Sequence, residues 1–229
     1  MPAFYNRAIE ITQRRAMLPL LKVRPGERVL DVGCGVGRWS IPLAEAGAVV
    51  TGIDLSSTMV SEASSRAAAK GVDRRCRFLQ QDIADLRIDS KFDLIVCVTV
   101  LQHILEDRRC RDAITRLADR LIPGGRMVVL EAAPRQRNSR CNSEVFRARV
   151  ESEYLDWFLQ SGLRVDAVRG VDPAPFKIWY LPFHRRLNSS LGQLALSLTT
   201  ALSLPLDLAL GRLAGRFAWH KVFSLRAPR

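Results

Sequence analysis

The sequence predicts an α/β protein built on a doubly wound, mostly parallel sheet, and three observations carry that prediction. The apolar run Val29–Val32 breaks into three glycines, Gly33, Gly35 and Gly37, before a helical pattern begins. Such a strand, turn and helix make a ligand site, because a glycine lets the backbone turn tightly and lets a ligand approach it closely. A second apolar run, from Ala48 to Leu55, carries an acid, Asp54, at its end. Beyond it, strand-like runs keep alternating with helical spacing, the order of a parallel sheet whose site lies at the strand carboxyl ends.

Each element has its own signal. Ile9, Ala16, Met17, Leu20 and Leu21 among Glu10, Arg14 and Arg15 predict an amphipathic helix over Tyr5–Lys22, and Pro25-Gly26 turns the chain into the first strand. The helix after the glycines runs to about Ala46, with Gly47 as its stop, and Ser56 caps the next, from Ser57 to Lys70, which Gly71 ends. Strands three and four are Arg77–Leu79 and Leu94–Val98. A helix over Asp107–Leu121 puts Cys110, Ile114, Leu117 and Leu121 on one face; Pro123-Gly124-Gly125 then leads to strand five, Met127–Glu131. Residues 132–142 read as a polar loop over the site, Glu144–Ser161 as a helix ended by Gly162, and Leu163–Val168 as strand six. The candidate for the seventh strand is Lys221–Leu225, so roughly fifty residues intervene where a short hairpin is the usual connection. The division this predicts is an N-terminal cap helix (1–24), a core (25–171), an apolar helical insertion (172–218) and a last strand with its tail (219–229).

Composition bounds the function classes. With 35 Lys and Arg against 23 Asp and Glu the chain carries a formal charge of +12, which brings nucleic acid and anionic membrane surfaces into consideration. The arginines are nevertheless dispersed, in doublets such as Arg74/Arg75 and Arg108/Arg109, as on a solvated surface. Five cysteines, an odd number with no C-x-x-C pair, suggest neither a disulfide framework nor a zinc site, and no acidic cluster demands another metal. The N-terminus has charges within its first ten residues and no apolar signal core. The expected location is therefore cytoplasmic.

The glycine spacing narrows the ligand. G-x-G-x-G is not the dinucleotide fingerprint G-x-G-x-x-G, and the Gly-Lys-Ser/Thr of a P-loop is absent. The stretch D-V-G-C-G-V-G instead resembles the first motif of the class I S-adenosylmethionine (SAM) dependent methyltransferases. A-V-V-T-G-I-D-L, F-L-Q-Q-D-I, F-D-L-I-V-C-V and L-I-P-G-G-R-M-V-V-L-E come after it in the family's order, so the resemblance covers roughly Glu27–Glu131. It implies a Rossmann-like core of seven strands, SAM as cofactor and S-adenosylhomocysteine as product. It further implies that Gly33 and Gly35 pass under the methionine portion with Asp31 near its ammonium. Asp54 would bind the ribose, Leu55 and Ile83 would sandwich the adenine, Asp82 would accept from its amine, and the carbonyls of Val98 and Thr99 would meet the ammonium.

The residues just after strand four bear on the acceptor. Thr99–Ile104, T-V-L-Q-H-I, lacks the Asn/Asp-Pro-Pro-aromatic motif that grips base amines, and is similar to the small-molecule and lipid-acceptor branch. His103 is a candidate base because imidazole titrates near neutrality. Glu131, at the sheet's carboxyl edge and facing the expected acceptor pocket, is a second candidate, and Tyr180 and His184 in the insertion are further ones. That insertion runs from 188 to 206 without a charged side chain, but Ser, Thr, Gln and Pro205 interrupt it, which argues against a membrane span. It reads as a cap over an apolar pocket, as a surface resting on lipid, or as plain core. The expected acceptor is a small, apolar or lipid-linked molecule, O- or N-methylated in a biosynthetic pathway. An RNA methyltransferase and a non-catalytic SAM-binding protein are the competing readings, and oligomeric state stays open.

Overall fold

A computed structural model describes residues 3–136, 142–171 and 218–229, with helical positions at 190–192, 194, 195, 198, 201 and 202. Helix α1 is Ala3–Met17. After it come β1 (Arg28–Val32), α2 (Ser40–Glu45), β2 (Val49–Asp54), α3 (Ser57–Ala69), β3 (Cys76–Gln80), β4 (Phe92–Val98), α4 (Asp107–Ala118), β5 (Leu121–Ala132), α5 (Glu151–Gln160), β6 (Arg164–Gly170) and β7 (His220–Arg226). The strands form one seven-stranded sheet in the order β3-β2-β1-β4-β5-β7-β6. All pairings are parallel except those of β7, which runs antiparallel to both β5 and β6.

Strand alternation sorts the core into two layers. Val29, Leu94, Val96, Val128 and Leu130 point to the face that packs with Met17 of α1, Leu43 of α2 and Ala67 of α3. Leu30, Ile95, Cys97, Met127 and Val129 point to the other, against Ile114 and Leu117 of α4 and Tyr154 and Phe158 of α5. Central strands are therefore apolar on both sides, which is why their sequences read as continuous runs.

Three boundaries differ from the sequence reading. Leu121 opens β5 rather than closing α4; it pairs with Phe92, and the Pro123-Gly124-Gly125 turn is absorbed as an irregularity before the Leu94–Arg126 pair. Helix α5 starts at Glu151 instead of Glu144, because 143–146 form a turn, Val150 is extended and the Glu153 carboxylate takes the Val150 N–H at 2.9 Å, fixing the helix entry there. Helix α1 ends at Met17, short of Lys22. The insertion expected over 172–218 falls mainly outside the described residues.

Candidate functional site

The turn after β1 is set by positive φ values at Gly33 (64°), Gly35 (53°) and Gly37 (82°). Two of these glycines serve different ends. A Cβ on Gly33 would stand 2.2 Å from Val100 Cγ2, so this position is filled by packing, whereas a Cβ on Gly35 meets nothing within 4 Å. Gly35 leaves backbone open to an approaching ligand.

Asp54 ends β2 beside this turn. Its Oδ2 accepts the Gly35 N–H and its Oδ1 the Ser56 N–H, both at 2.9 Å. Each oxygen keeps further acceptor capacity, so the carboxylate ties the turn to the start of α3 and can still bind a donor. Asp31 behaves differently. It is buried below the turn, accepts from the Ser40 hydroxyl at 2.5 Å, and burial pushes its pKa up to about 7 against the opposing Ser40 bonds. Neither Asp31 nor Gly35 is among the residues that line the cavity at the strand carboxyl ends.

The cavity at the strand carboxyl ends has a volume of about 550 Å³, the size of a small-ligand site. Gly33, Asp54, Leu55, Asp82, Ile83, Val98, Thr99 and His103 all line it, so most of the residues singled out in the sequence meet there. Leu55 is exposed while Ile83 belongs mainly to the core. Asp82 accepts the Ala84 N–H at 2.8 Å and stands 3.4 Å from Arg109, another lining residue.

The opposite wall is the loop after β4. Thr99 leaves the strand with φ 56°, a conformation that a β-branched residue adopts only under constraint, while its hydroxyl donates to the Val98 carbonyl at 2.7 Å. The constraint comes from two buried charges. Glu131, fully buried in β5, accepts the N–H groups of Val100 (2.8 Å), Leu101 (2.8 Å) and Gln102 (3.2 Å). Arg149, 1% exposed, donates to the carbonyls of Leu101 (3.0 Å) and Ile104 (2.5 Å) and to Asp107 (2.9 Å). Gln102 adds a third tie, accepting the Ala132 N–H at 3.2 Å.

This arrangement corrects the reading of Glu131. Its carboxylate faces backbone amides inside the protein rather than an acceptor pocket, and burial, opposed by those three bonds, raises its pKa to about 7. It is a positioning residue. His103, by contrast, is exposed and lines the cavity, with Nδ1 2.6 Å from the Val145 carbonyl. A carbonyl only accepts, so Nδ1 carries the proton and Nε2 of the neutral ring is left as the acceptor. Tyr180 and His184 lie outside the described residues. Sequence reasoning missed Arg149 and Gln102, and nothing local marks either; long-range contacts alone give them a role.

Known proteins share this part of the chain. Residues 29–125 match a family model described as methyltransferase domain. Over 80 residues the chain is 46% identical to the magnesium-protoporphyrin O-methyltransferase of a Synechocystis strain, covering 34% of each chain. Over 105 residues it is 37% identical to a ubiquinone biosynthesis O-methyltransferase of Coxiella burnetii, covering 44% of this chain and 42% of that one. The chain thus spans about a third to two-fifths of the length of the relatives it matches. Among solved structures, magnesium protoporphyrin IX methyltransferase from Synechocystis with bound SAM aligns at a TM-score of 0.65 and 20% identity, covering 99% of this chain and 85% of that one. The [4+2]-cyclase SpnF aligns equally well, with a TM-score of 0.65 and 20% identity over 97% of this chain and 81% of that one. At such identities the likeness is one of fold.

Proposed function

We propose, from the match of residues 29–125 to a methyltransferase-domain family model, a SAM-dependent methyltransferase that acts on a small, hydrophobic or lipid-linked acceptor in a biosynthetic pathway. The observation that carries it is Asp54, held by the Gly35 and Ser56 amides at the mouth of the cavity with acceptor capacity to spare. The residues present fit the donor. Gly35 leaves room for its approach, Asp54 suits two vicinal ribose hydroxyls, and Leu55 and Ile83 offer apolar surface beside the Asp82 acceptor for an adenine.

When bound, SAM supplies a methyl group already activated on a sulfonium. The chain's own task is then to align the acceptor, exclude water and, for a hydroxyl, remove a proton. His103 is placed for the last of these: with Nδ1–H committed to Val145, Nε2 takes the hydroxyl proton, which favours O-methylation. The imidazolium that results keeps its bond to the carbonyl.

The acceptor class is supported by the uncharged run 188–206 and by Leu191, Leu194, Leu198 and Leu202, which are exposed at helical spacing. The same leucines support contact with a membrane surface, and among the described residues no helix is long and apolar enough to cross one. Co-sedimentation with anionic liposomes tests this, and partitioning that lipid leaves unchanged removes the membrane reading.

The experiment that tests the proposal is titration calorimetry with SAM and S-adenosylhomocysteine beside an Asp54→Ala variant. Micromolar affinity in the wild type should fall about 100-fold in the variant, the loss of two hydrogen bonds to a charged acceptor. A folded wild type that binds neither ligand overturns it. A second reading, a SAM-binding protein that does not transfer the methyl, is favoured by the cyclase on the same fold. Labelled methyl donor and a panel of apolar phenols and carboxylic acids separate the two.

A further inference from the structure

A neutral imidazole holds its one proton on either of two nitrogens, and the hydrogen bond made by one nitrogen decides which. His103 is exposed, and water, which both donates and accepts, would leave that choice open. A fixed acceptor at Nδ1 closes it, and here the acceptor is the Val145 carbonyl at 2.6 Å. Val145 is 69% exposed, so its side chain packs on little and what the position brings to His103 is backbone.

The chain around Val145 explains why its carbonyl stands there. Residues 143–146 close into a turn, in which the Ser143 N–H donates to the Phe146 carbonyl at 2.8 Å, and the Asn142 side chain accepts the Ala148 N–H at 3.0 Å. That turn still needs a tie to the loop that carries His103, and Arg147 makes three. Its N–H donates to the carbonyl of Gln102, the residue before His103, at 2.8 Å. Its guanidinium donates to the Leu105 carbonyl at 3.2 Å and to Asp107 Oδ2 at 2.6 Å. Between Val145 and Arg147 the Phe146 ring meets the imidazole edge-on, with centroids 6.4 Å apart. Neither Arg147 nor Val145 lines the cavity, whereas His103 does, so whatever they do there is done through the histidine. Resting on the reading of His103 as the base, we infer that Arg147 is a positioning residue for it. Arg147 pins the 143–146 turn to the loop after β4, the Val145 carbonyl holds the ring proton on Nδ1, and Nε2 is left to accept the proton of an acceptor hydroxyl. One proton moves, from that oxygen to Nε2, and none leaves Nδ1.

The test reads the tautomer directly, from the imidazole nitrogen NMR shifts of the full chain at about pH 9, where a free imidazole is neutral. The sequence has three histidines, and the signal missing from His103→Asn assigns the ring. The wild type should carry the His103 proton on Nδ1. Arg147→Met should lower the ratio of Nδ1–H to Nε2–H by about threefold to tenfold, the worth of one hydrogen bond, while affinity for S-adenosylhomocysteine stays within about twofold. Arg147→Lys, which can pair with Asp107 but lacks the fork that also reaches Leu105, should fall between the two, and it carries the test if Arg147→Met does not fold. A wild-type ring protonated on Nε2, or a ratio that neither variant moves, overturns the assignment and leaves the cofactor reading intact. Methyl transfer to apolar phenols that His103→Asn leaves undiminished overturns the base reading, and the assignment with it, even where the tautomer is as expected.

Discussion

The glycine turn after β1 and the loop after β4 face one cavity, yet they are held in opposite ways. The turn is shaped by three left-handed glycines and tied by a carboxylate 19 residues away. The loop has no such local device. It is clamped by Glu131 on its amides and Arg149 on its carbonyls, from about 30 and about 48 residues downstream. One wall of the site is a property of a short sequence; the other exists only when the sheet and the approach to α5 are complete.

Substitutions test that contrast. Arg149→Met should have the largest effect, about 3–5 kcal/mol of stability by denaturant unfolding, because it orphans the carbonyls of Leu101 and Ile104 and removes one of the two arginines that hold Asp107. A loss below about 1 kcal/mol would show that the loop holds its shape without the clamp. Gly33→Ala comes next, at about 2–4 kcal/mol, from a left-handed residue and an overpacked contact. Val100 has little freedom to retreat from the new methyl, because Glu131 holds its amide.

Glu131→Gln should cost about 1–3 kcal/mol, since an amide cannot accept all three N–H groups. Its pH dependence has a definite sign. The folded pKa is about 7 against an ordinary 4.5, so between those values the folded protein keeps a proton that the unfolded chain has lost. The stability this group contributes is full below the lower value and declines as pH rises to the upper one. The wild type's margin over the variant should therefore narrow from about pH 5 to about pH 8. A margin that widens would mean that the amide bonds outweigh burial. The smallest effect on stability belongs to Gly35→Ala, about 1–2 kcal/mol for the left-handed backbone alone. Its methyl has room, so it should weaken donor binding more than it weakens the fold.

The same contrast explains how much is legible in the sequence. The alternation of strands and helices, the capping of α3 by Ser56 and the acid at the end of β2 are all local patterns, and the structure has them where the residues indicate. Glu131 is visible as a polar residue at a strand end, but which way it faces depends on amides that the loop between β4 and α4 brings to it. Helical spacing carries α5 too far towards the N-terminus because Val145 and Val150 fit its period, and nothing local announces that Arg149 between them is drawn out to the loop carbonyls. Asp31 shows the same dependence: its hydroxyl partner, Ser40, opens α2 across the turn.

Strands β6 and β7 are antiparallel neighbours, and Gly170 pairs with Lys221. The long stretch between them therefore leaves the sheet and re-enters it at adjacent points on the edge where the cavity opens. To the rest of the domain that stretch is the loop of a hairpin, whatever its length. Doubling such a loop costs only about 0.6 kcal/mol of closure entropy. The architecture thus fixes the two ends of that stretch at neighbouring points of the sheet, and its length weighs little on the closure of the hairpin.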